Sequence, residues 1–296
     1  MRYCVGIGGV TIGVCIESDA DARTGIRLDG PVARFVVDDR PADVEVRVST
    51  LPLEPKSEGE LVFDSGSLWR MFRHDGDYRL EFRSNLSGDA PYKVARIPAD
   101  LSARPVEVTL QTRVTEFRNA YPLQFPLDEL LVNAMLTQQG AIEIHSCGLV
   151  DQNGDGYLFA GNSGAGKTTT ARLWQDDAAE ILSDDRIILR RHEDGWWMYG
   201  TPWHGEAEIC SASRARLRRI FLLDKSSRNA LQPLRPGAAV ARLFSCGFPP
   251  FYDARAMSSV IGTLSSVVRE VPAASLSFAK DRSVVDFVRE SLEAAA

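Results

Sequence analysis

A chain of 296 residues is long for one hydrophobic core, so two domains or one elaborated domain are expected. Its 44% hydrophobic and 25% charged residues describe an ordinary globular protein, and a net charge of −6 argues against a surface built to hold nucleic-acid backbone. Cys4, Cys15, Cys147, Cys210 and Cys246 are scattered with no C-x-x-C pair, which reads as reduced thiols in a cytoplasmic protein. No apolar run approaches the ~18 residues of a membrane-spanning helix, so no membrane partner is expected. Arg2 followed by the apolar Tyr3–Ile16 is too glycine-rich for a signal peptide and reads as two strands bent at Gly8-Gly9.

Residues 1 to about 115 alternate with period two and are broken by turn residues, which predicts an antiparallel β-rich region. Arg34–Val37, Asp43–Val48 and Glu60–Phe63 read as short strands. Trp69–Arg73 and Tyr78–Arg83 flank His74-Asp75-Gly76-Asp77, a hairpin turn signal. Ser57-Glu58-Gly59 reads as a surface loop.

The pattern changes at Pro126, where apolar residues at helical spacing with early acids predict a helix ending near Gly140. Ala141–His145 then reads as a strand, continued or neighboured by Cys147–Val150. Asp151-Gln152-Asn153-Gly154-Asp155-Gly156 matches the first half of a calcium loop, but the twelfth position is Asn162 instead of glutamate, and a hairpin turn is the better reading. The strand Tyr157–Ala160 leads into Gly161-Asn162-Ser163-Gly164-Ala165-Gly166-Lys167-Thr168, a complete G-x-x-x-x-G-K-[ST] phosphate loop followed by a helix. Such a loop wraps phosphates with backbone N–H groups and the positive end of a helix. Lys167 would reach the β- and γ-phosphates, and the Thr168 hydroxyl would ligate Mg²⁺. A nucleoside triphosphate with Mg²⁺ is therefore the expected ligand.

Downstream, the apolar segment Ile181-Leu182-Ser183 ends in Asp184-Asp185. Adjacent carboxylates are costly without a cation between them, so the pair suits one metal ligand and one group that orients or deprotonates a hydroxyl. Trp196–Tyr199 reads as an aromatic strand, and Thr201–Glu206 as a loop that either touches a ligand or plugs the core. Arg214, Arg216, Arg218 and Arg219 read as a cluster before a strand Ile220–Leu223, either solvated or gripping a phosphoryl group or an acidic peptide. Helices are expected over Ala238–Leu243, over residues 253–270 and at the C-terminus, the last capped by Asp281 or Ser283.

From His145 to Arg186 the order is strand with histidine, Gly-Leu-Val-Asp, glycine turn, apolar strand, phosphate loop, helix, and a strand ending Asp-Asp-Arg. That arrangement resembles the catalytic domain of HPr kinase/phosphorylase, itself related to ATP-dependent phosphoenolpyruvate carboxykinase. Tyr121-Pro122-Leu123, Pro126–Leu131 and the whole-chain layout are similar to HPr-kinase-related proteins, among them the lasso-peptide kinases. The chain then reads as α/β (α+β) in two parts: the β-rich region over 1–120, a candidate for substrate recognition, and, as the resemblance implies, a phosphate-loop kinase domain with a mixed sheet over 121–296. The resemblance also implies transfer of the γ-phosphoryl of ATP to a serine hydroxyl of a peptide or small protein. Residue by residue, Lys167 and Thr168 would hold phosphate and metal, and Asp184 and Asp185 would divide metal binding and hydroxyl activation, with Asp185 favoured as base. His145, which on its own reads as a core histidine, becomes an active-site histidine. Thr169 stands where HPr kinases carry an acidic residue, residues 196–236 hold no counterpart of their later signature, and the N-terminal region does not match theirs. Those departures point away from HPr as acceptor and from phosphorolysis. A small-molecule kinase on the same core, and an ATP-binding regulatory module without catalysis, are the alternative readings.

Overall fold

The computed structural model describes residues 1–17, 28, 30–53, 58–66, 68–85, 88–111 and 121–294. The expected loop at Ser57-Glu58-Gly59 and the expected boundary at 120/121 fall partly outside these residues. The chain divides into two units, Met1–Met135 and Leu136–Ala296, further along than that boundary.

The first unit opens with β1 (Arg2–Ile7) and β2 (Val10–Ile16), joined by Gly8 at φ 59° and Gly9 at φ 79°. Two positive φ angles in a two-residue loop make the tight hairpin that Gly-Gly permits. Next come a 3₁₀ turn (Pro31–Phe35) and the two-residue strand β3 (Val36–Val37), where a strand over Arg34–Val37 was expected. Pro31 starts that turn, Ala33 N donates to Gly30 O (3.2 Å), and Val32 and Phe35, three apart, are buried together. There follow β4 (Val44–Leu51), β5 (Glu60–Asp64), β6 (Trp69–His74), β7 (Asp77–Phe82), β8 (Lys93–Ile97) and β9 (Val106–Gln111). Among the described residues these form one sheet in the order β3-β1-β2-β4-β9-β8-β7-β6-β5. The sheet is mixed and not antiparallel throughout: β4 runs parallel to both β2 and β9. Each of those pairings needs a long crossover, which period-two patterning does not reveal.

Helix α1 (Leu127–Gln138) places Asp128 and Glu129 in its first turn, where the helix dipole favours them. The second unit then runs β10 (Ile142–Val150), β11 (Gly156–Ala160), α2 (Lys167–Gln175), β12 (Glu180–Ser183), β13 (Arg186–His192), β14 (Gly195–Tyr199) and β15 (Arg214–Lys225). It ends with β16 (Ala230–Pro233), α3 (Pro236–Phe244), α4 (Ala254–Glu270), β17 (Ala273–Phe278) and α5 (Ser283–Glu293). Asp253 caps α4 by accepting from the N–H groups of Arg255 (2.8 Å) and Ala256 (3.3 Å). Asp281 serves the start of α5 through Ser283 N (2.9 Å).

The sheet of this unit is also mixed. Strand β11 lies between antiparallel β10 and parallel β15, and β15 pairs in parallel with β17 on its other side. Strand β10 pairs with β13 along Ile142–His145 and with β12 along Gly148–Val150, so it bends from one neighbour to the next. Strand β11 is buried along its whole length. Leu158 and Ala160 face a core shared with Leu243 of α3 and Leu264 of α4. Tyr157 and Phe159 face a second core with Trp174 of α2 and Val285 of α5. A strand covered on both faces by helices holds its C-terminal end rigidly, and the phosphate loop hangs from that end.

The expected hairpin replaces a calcium loop: Val150 pairs with Gly156, and Asp151 is ion-paired to Arg289 (2.6 Å). The arginines expected to precede a strand lie within β15, where Arg214, Arg216 and Arg218 are exposed and Ala215 and Leu217 are buried. Among the described residues, no helix is long and apolar enough to cross a membrane. None of the five cysteines is in a disulfide.

Candidate active site

The loop Gly161–Gly166 turns sharply between β11 and α2 because its glycines allow it. Gly164 has φ 76° and Gly166 φ 114°, both in the region that side chains disfavour. A Cβ on Gly166 would also lie 2.6 Å from Cζ of Phe278, and one on Gly161 would lie 2.7 Å from Cβ of Ala165. Asn162, Ser163 and Gly164 are exposed, and Ala165, Gly166, Thr168 and Thr169 are partly so. Lys167 is buried at the start of α2, and its Nζ donates to the carbonyls of Gly161 (2.9 Å) and Asn162 (3.3 Å). Burial pulls its pKa down, opposed chiefly by the negative charge of Asp185.

Strand β10 brings His145 and the aspartate pair beside that loop. Ser146 of β10 is opposite Ala160, the last residue before Gly161, and its N–H donates to Asp185 O (2.8 Å). His145, opposite Arg186, has Nε2 2.9 Å from Asp185 Oδ1. Since an ionised carboxylate only accepts, Nε2 carries the proton in this bond. Arg186 binds Asp185 Oδ2 through Nη1, and its Nε lies 3.2 Å from Oε1 of the fully buried Glu143. Phe248 packs against both, with its ring 5.9 Å from that of His145 and 4.7 Å from the Arg186 guanidinium carbon. Burial pushes the Asp185 carboxyl up, but His145, Arg186 and Lys167 outweigh it and hold the group below the usual carboxylate range.

Asp184 sits differently. It is 1% exposed, and its two oxygens accept N–H bonds from Gly205 (2.9 Å) and Ala207 (3.0 Å). The loop Thr201–Glu206 is thus tied to the aspartate pair by backbone, while Trp203 is buried. Gly205 permits the approach: a Cβ there would stand 2.8 Å from Asp184 Oδ2.

The structure therefore gathers the phosphate loop, Lys167, His145, Asp184 and Asp185. It does not bring the arginines of β15 there. Arg218 pairs with Asp155 (2.9 Å), and Arg214 donates to the Tyr199 hydroxyl (3.0 Å) and lies over the Trp197 ring. Two features escaped the sequence reading. The segment after α3 runs beside β10, where His145 N donates to Cys246 O (2.7 Å) and Phe248 N to Glu143 O (3.1 Å). A cavity of about 460 Å³ adjoins the loop, lined among others by Asp224, Lys225, Arg242 and Cys246. Asp224 was visible as the acid that ends the apolar run Ile220–Leu223, on the strand parallel to the one that carries the loop.

Among the described residues no group of three or more His, Cys, Asp or Glu forms a metal cage. Mg²⁺ held with a nucleotide needs only one or two protein oxygens, the rest coming from phosphate and water. The Thr168 hydroxyl and the aspartate pair suit that demand. Comparison with models of known protein families gives no match to this chain, and no curated protein matches it.

Proposed function

We propose that the second unit is a phosphotransferase that moves the γ-phosphoryl of ATP, with Mg²⁺, to a serine hydroxyl of a peptide or small protein. The observation that carries this reading is the pairing of an ionised, histidine-bound aspartate with a phosphate loop through one strand, β10. An aspartate that only holds Mg²⁺ beside such a loop needs no histidine bonded to it, so the His145–Asp185 contact favours a carboxylate that handles a proton. The resemblance of residues 145–186 to HPr kinases favours serine as the acceptor.

ATP supplies the transferable phosphoryl and, with Mg²⁺, the charge that the loop amides, Lys167 and Thr168 are suited to hold. Lys167 is kept in reach by its bonds to the Gly161 and Asn162 carbonyls, which it would share or exchange for phosphate oxygens. Asp185 accepts the hydroxyl proton. His145 and Arg186 fix both of its oxygens and keep the carboxylate ionised. Asp184 anchors the 205–207 backbone and has lone pairs left for the metal.

The test is ATP-dependent thermal stabilisation of the full chain, followed by transfer of γ-label to a library of serine-containing peptides. Wild type is expected to be stabilised by ATP with Mg²⁺ and to label serine, and Lys167→Ala to do neither. No stabilisation of wild type at millimolar ATP, or label only on small metabolites, would overturn the proposal.

A further inference from the structure

The cavity beside the phosphate loop holds an arginine that neither the motif nor the aspartate pair accounts for. Arg242 lies on α3, and its guanidinium is fixed in a fork: Nη1 donates to Asp224 Oδ2 (3.0 Å) and Nη2 to Asp224 Oδ1 (3.0 Å). Nη2 also donates to the carbonyl of Leu223 (3.2 Å). Asp224 is itself held by the hydroxyl of Ser275, from the neighbouring strand β17. Burial pushes the Asp224 carboxyl up, but Ser275 and Arg242 more than offset this and keep it ionised. These bonds use three of the five guanidinium N–H groups and leave Nε–H and one Nη1–H for another acceptor. The side chain is 34% exposed, so a ligand in the cavity can reach it.

The position of the cavity along the loop decides which part of a nucleotide this arginine would meet. A phosphate-loop lysine serves the β- and γ-phosphates. Lys167 Nζ ends at the carbonyls of Gly161 and Asn162, so the γ end of a triphosphate belongs at that end of the loop. The cavity wall begins there: Cys246 Sγ lies 3.7 Å from Asn162 Oδ1, four residues on from Arg242. An arginine preset by an acid and a hydroxyl, open on one side and adjacent to that end, is arranged to meet anionic oxygens.

We propose that Arg242 binds the γ-phosphoryl group of the nucleotide, and that Asp224 is the positioning residue that orients its guanidinium. This rests on the nucleotide reading of the loop. ATP has the group that Arg242 meets and ADP lacks it, so the two nucleotides separate the proposal from that reading.

The experiment measures ATP and ADP affinities by calorimetry for wild type, Arg242→Gln, Arg242→Lys and Asp224→Asn. A charge-assisted hydrogen bond is worth a loss of about 10- to 100-fold. Arg242→Gln is expected to lose about that much ATP affinity while binding ADP like wild type, which also shows that it is folded. Arg242→Lys is expected to recover part of the loss, and Asp224→Asn to lose less than Arg242→Gln. ATP and ADP affinities that fall in parallel, or stay unchanged, overturn the role of Arg242 while leaving the nucleotide site standing. A wild type that binds neither nucleotide overturns the nucleotide reading and this inference with it.

Discussion

Lys93 of the first unit offers a sharp test of how burial sets stability. It is 1% exposed, with Nζ donating to the Gln124 carbonyl (3.1 Å) and lying 4.1 Å from the Phe82 ring centroid. Burial pulls its pKa from 10.5 down to about 7, with Asp128 opposing. At about 1.4 kcal/mol per unit that shift is worth about 5 kcal/mol. The unfolded chain keeps the proton that the folded chain gives up, so stability should rise with pH between about 7 and about 10 and be flat below. Lys93→Met removes the burden of the charge and takes one of two donors from the Gln124 carbonyl, which still accepts from Leu127 N (3.3 Å), a loss of about 1–2 kcal/mol. The variant should therefore be more stable than wild type by about 2–3 kcal/mol near pH 7, within the range seen when buried charges are replaced by apolar groups. That advantage should shrink by about 2 kcal/mol by about pH 9. Urea unfolding at the two pH values measures the gap, and hydrogen exchange in β8 and β9 assigns it to the first unit. A variant less stable than wild type at neutral pH, or a gap that does not change with pH, would refute the reasoning.

Gly205→Ala drives a Cβ to within 2.8 Å of Asp184 Oδ2, and overpacking of this kind costs about 1–3 kcal/mol. Its melting temperature should fall, whereas Gly237→Ala, with open space around the added Cβ, should leave melting unchanged or raised. The depressed Asp185 carboxyl gives stability that is present above the usual carboxylate value of about 4 and is lost as pH falls through its lower folded value. The stability difference between wild type and Asp185→Asn should thus be constant above about pH 5 and shrink only under stronger acid; a difference that fades between about pH 5 and about pH 7 would contradict the ion pairing.

What the sequence revealed followed from how local each signal is. The turn glycines of β1–β2 and β6–β7, the phosphate loop and the aspartate pair are short-range patterns, and each lies at the junction of the elements expected around it: two hairpins, β11 to α2, and β12 to β13. Pairing between distant segments left no such mark. Nothing within β4 announces that it runs parallel to β9, about sixty positions further along. The arginines of β15 alternate with buried Ala215 and Leu217, so the strand was visible in the same residues whose charge drew attention to a cluster. Arg242 was hidden because its partners lie at residues 223 and 224, and the Ser275 hydroxyl that holds Asp224 comes from β17, which only its parallel packing on β15 brings there. His145 gave the opposite case: as a residue it reads as core, and its meaning comes from the 2.9 Å contact with Asp185 across the β10–β13 pair.

The two aspartates are adjacent in sequence and unequal in setting, and that inequality favours a division of labour. Asp184 is enclosed, with both oxygens engaged by backbone N–H groups, so an approaching hydroxyl has little access to it. The Asp185 side chain keeps 20% of its surface exposed, and its oxygens are held by side chains that can yield or shift. A phosphoryl acceptor needs a carboxylate that is ionised, oriented and reachable, which describes Asp185. Asp185→Asn should then bind ATP like wild type and lose transfer by about 10²–10⁴-fold. Asp184→Asn would point an amide NH₂ at the Gly205 or Ala207 N–H, costing about 1–3 kcal/mol of stability, and should raise the Mg²⁺ concentration needed for transfer. Melting curves, ATP titrations and Mg²⁺-dependent rates for the two variants separate the roles. Full transfer in Asp185→Asn, together with a normally stable Asp184→Asn that is inactive at any Mg²⁺ concentration, would assign the proton to Asp184 instead.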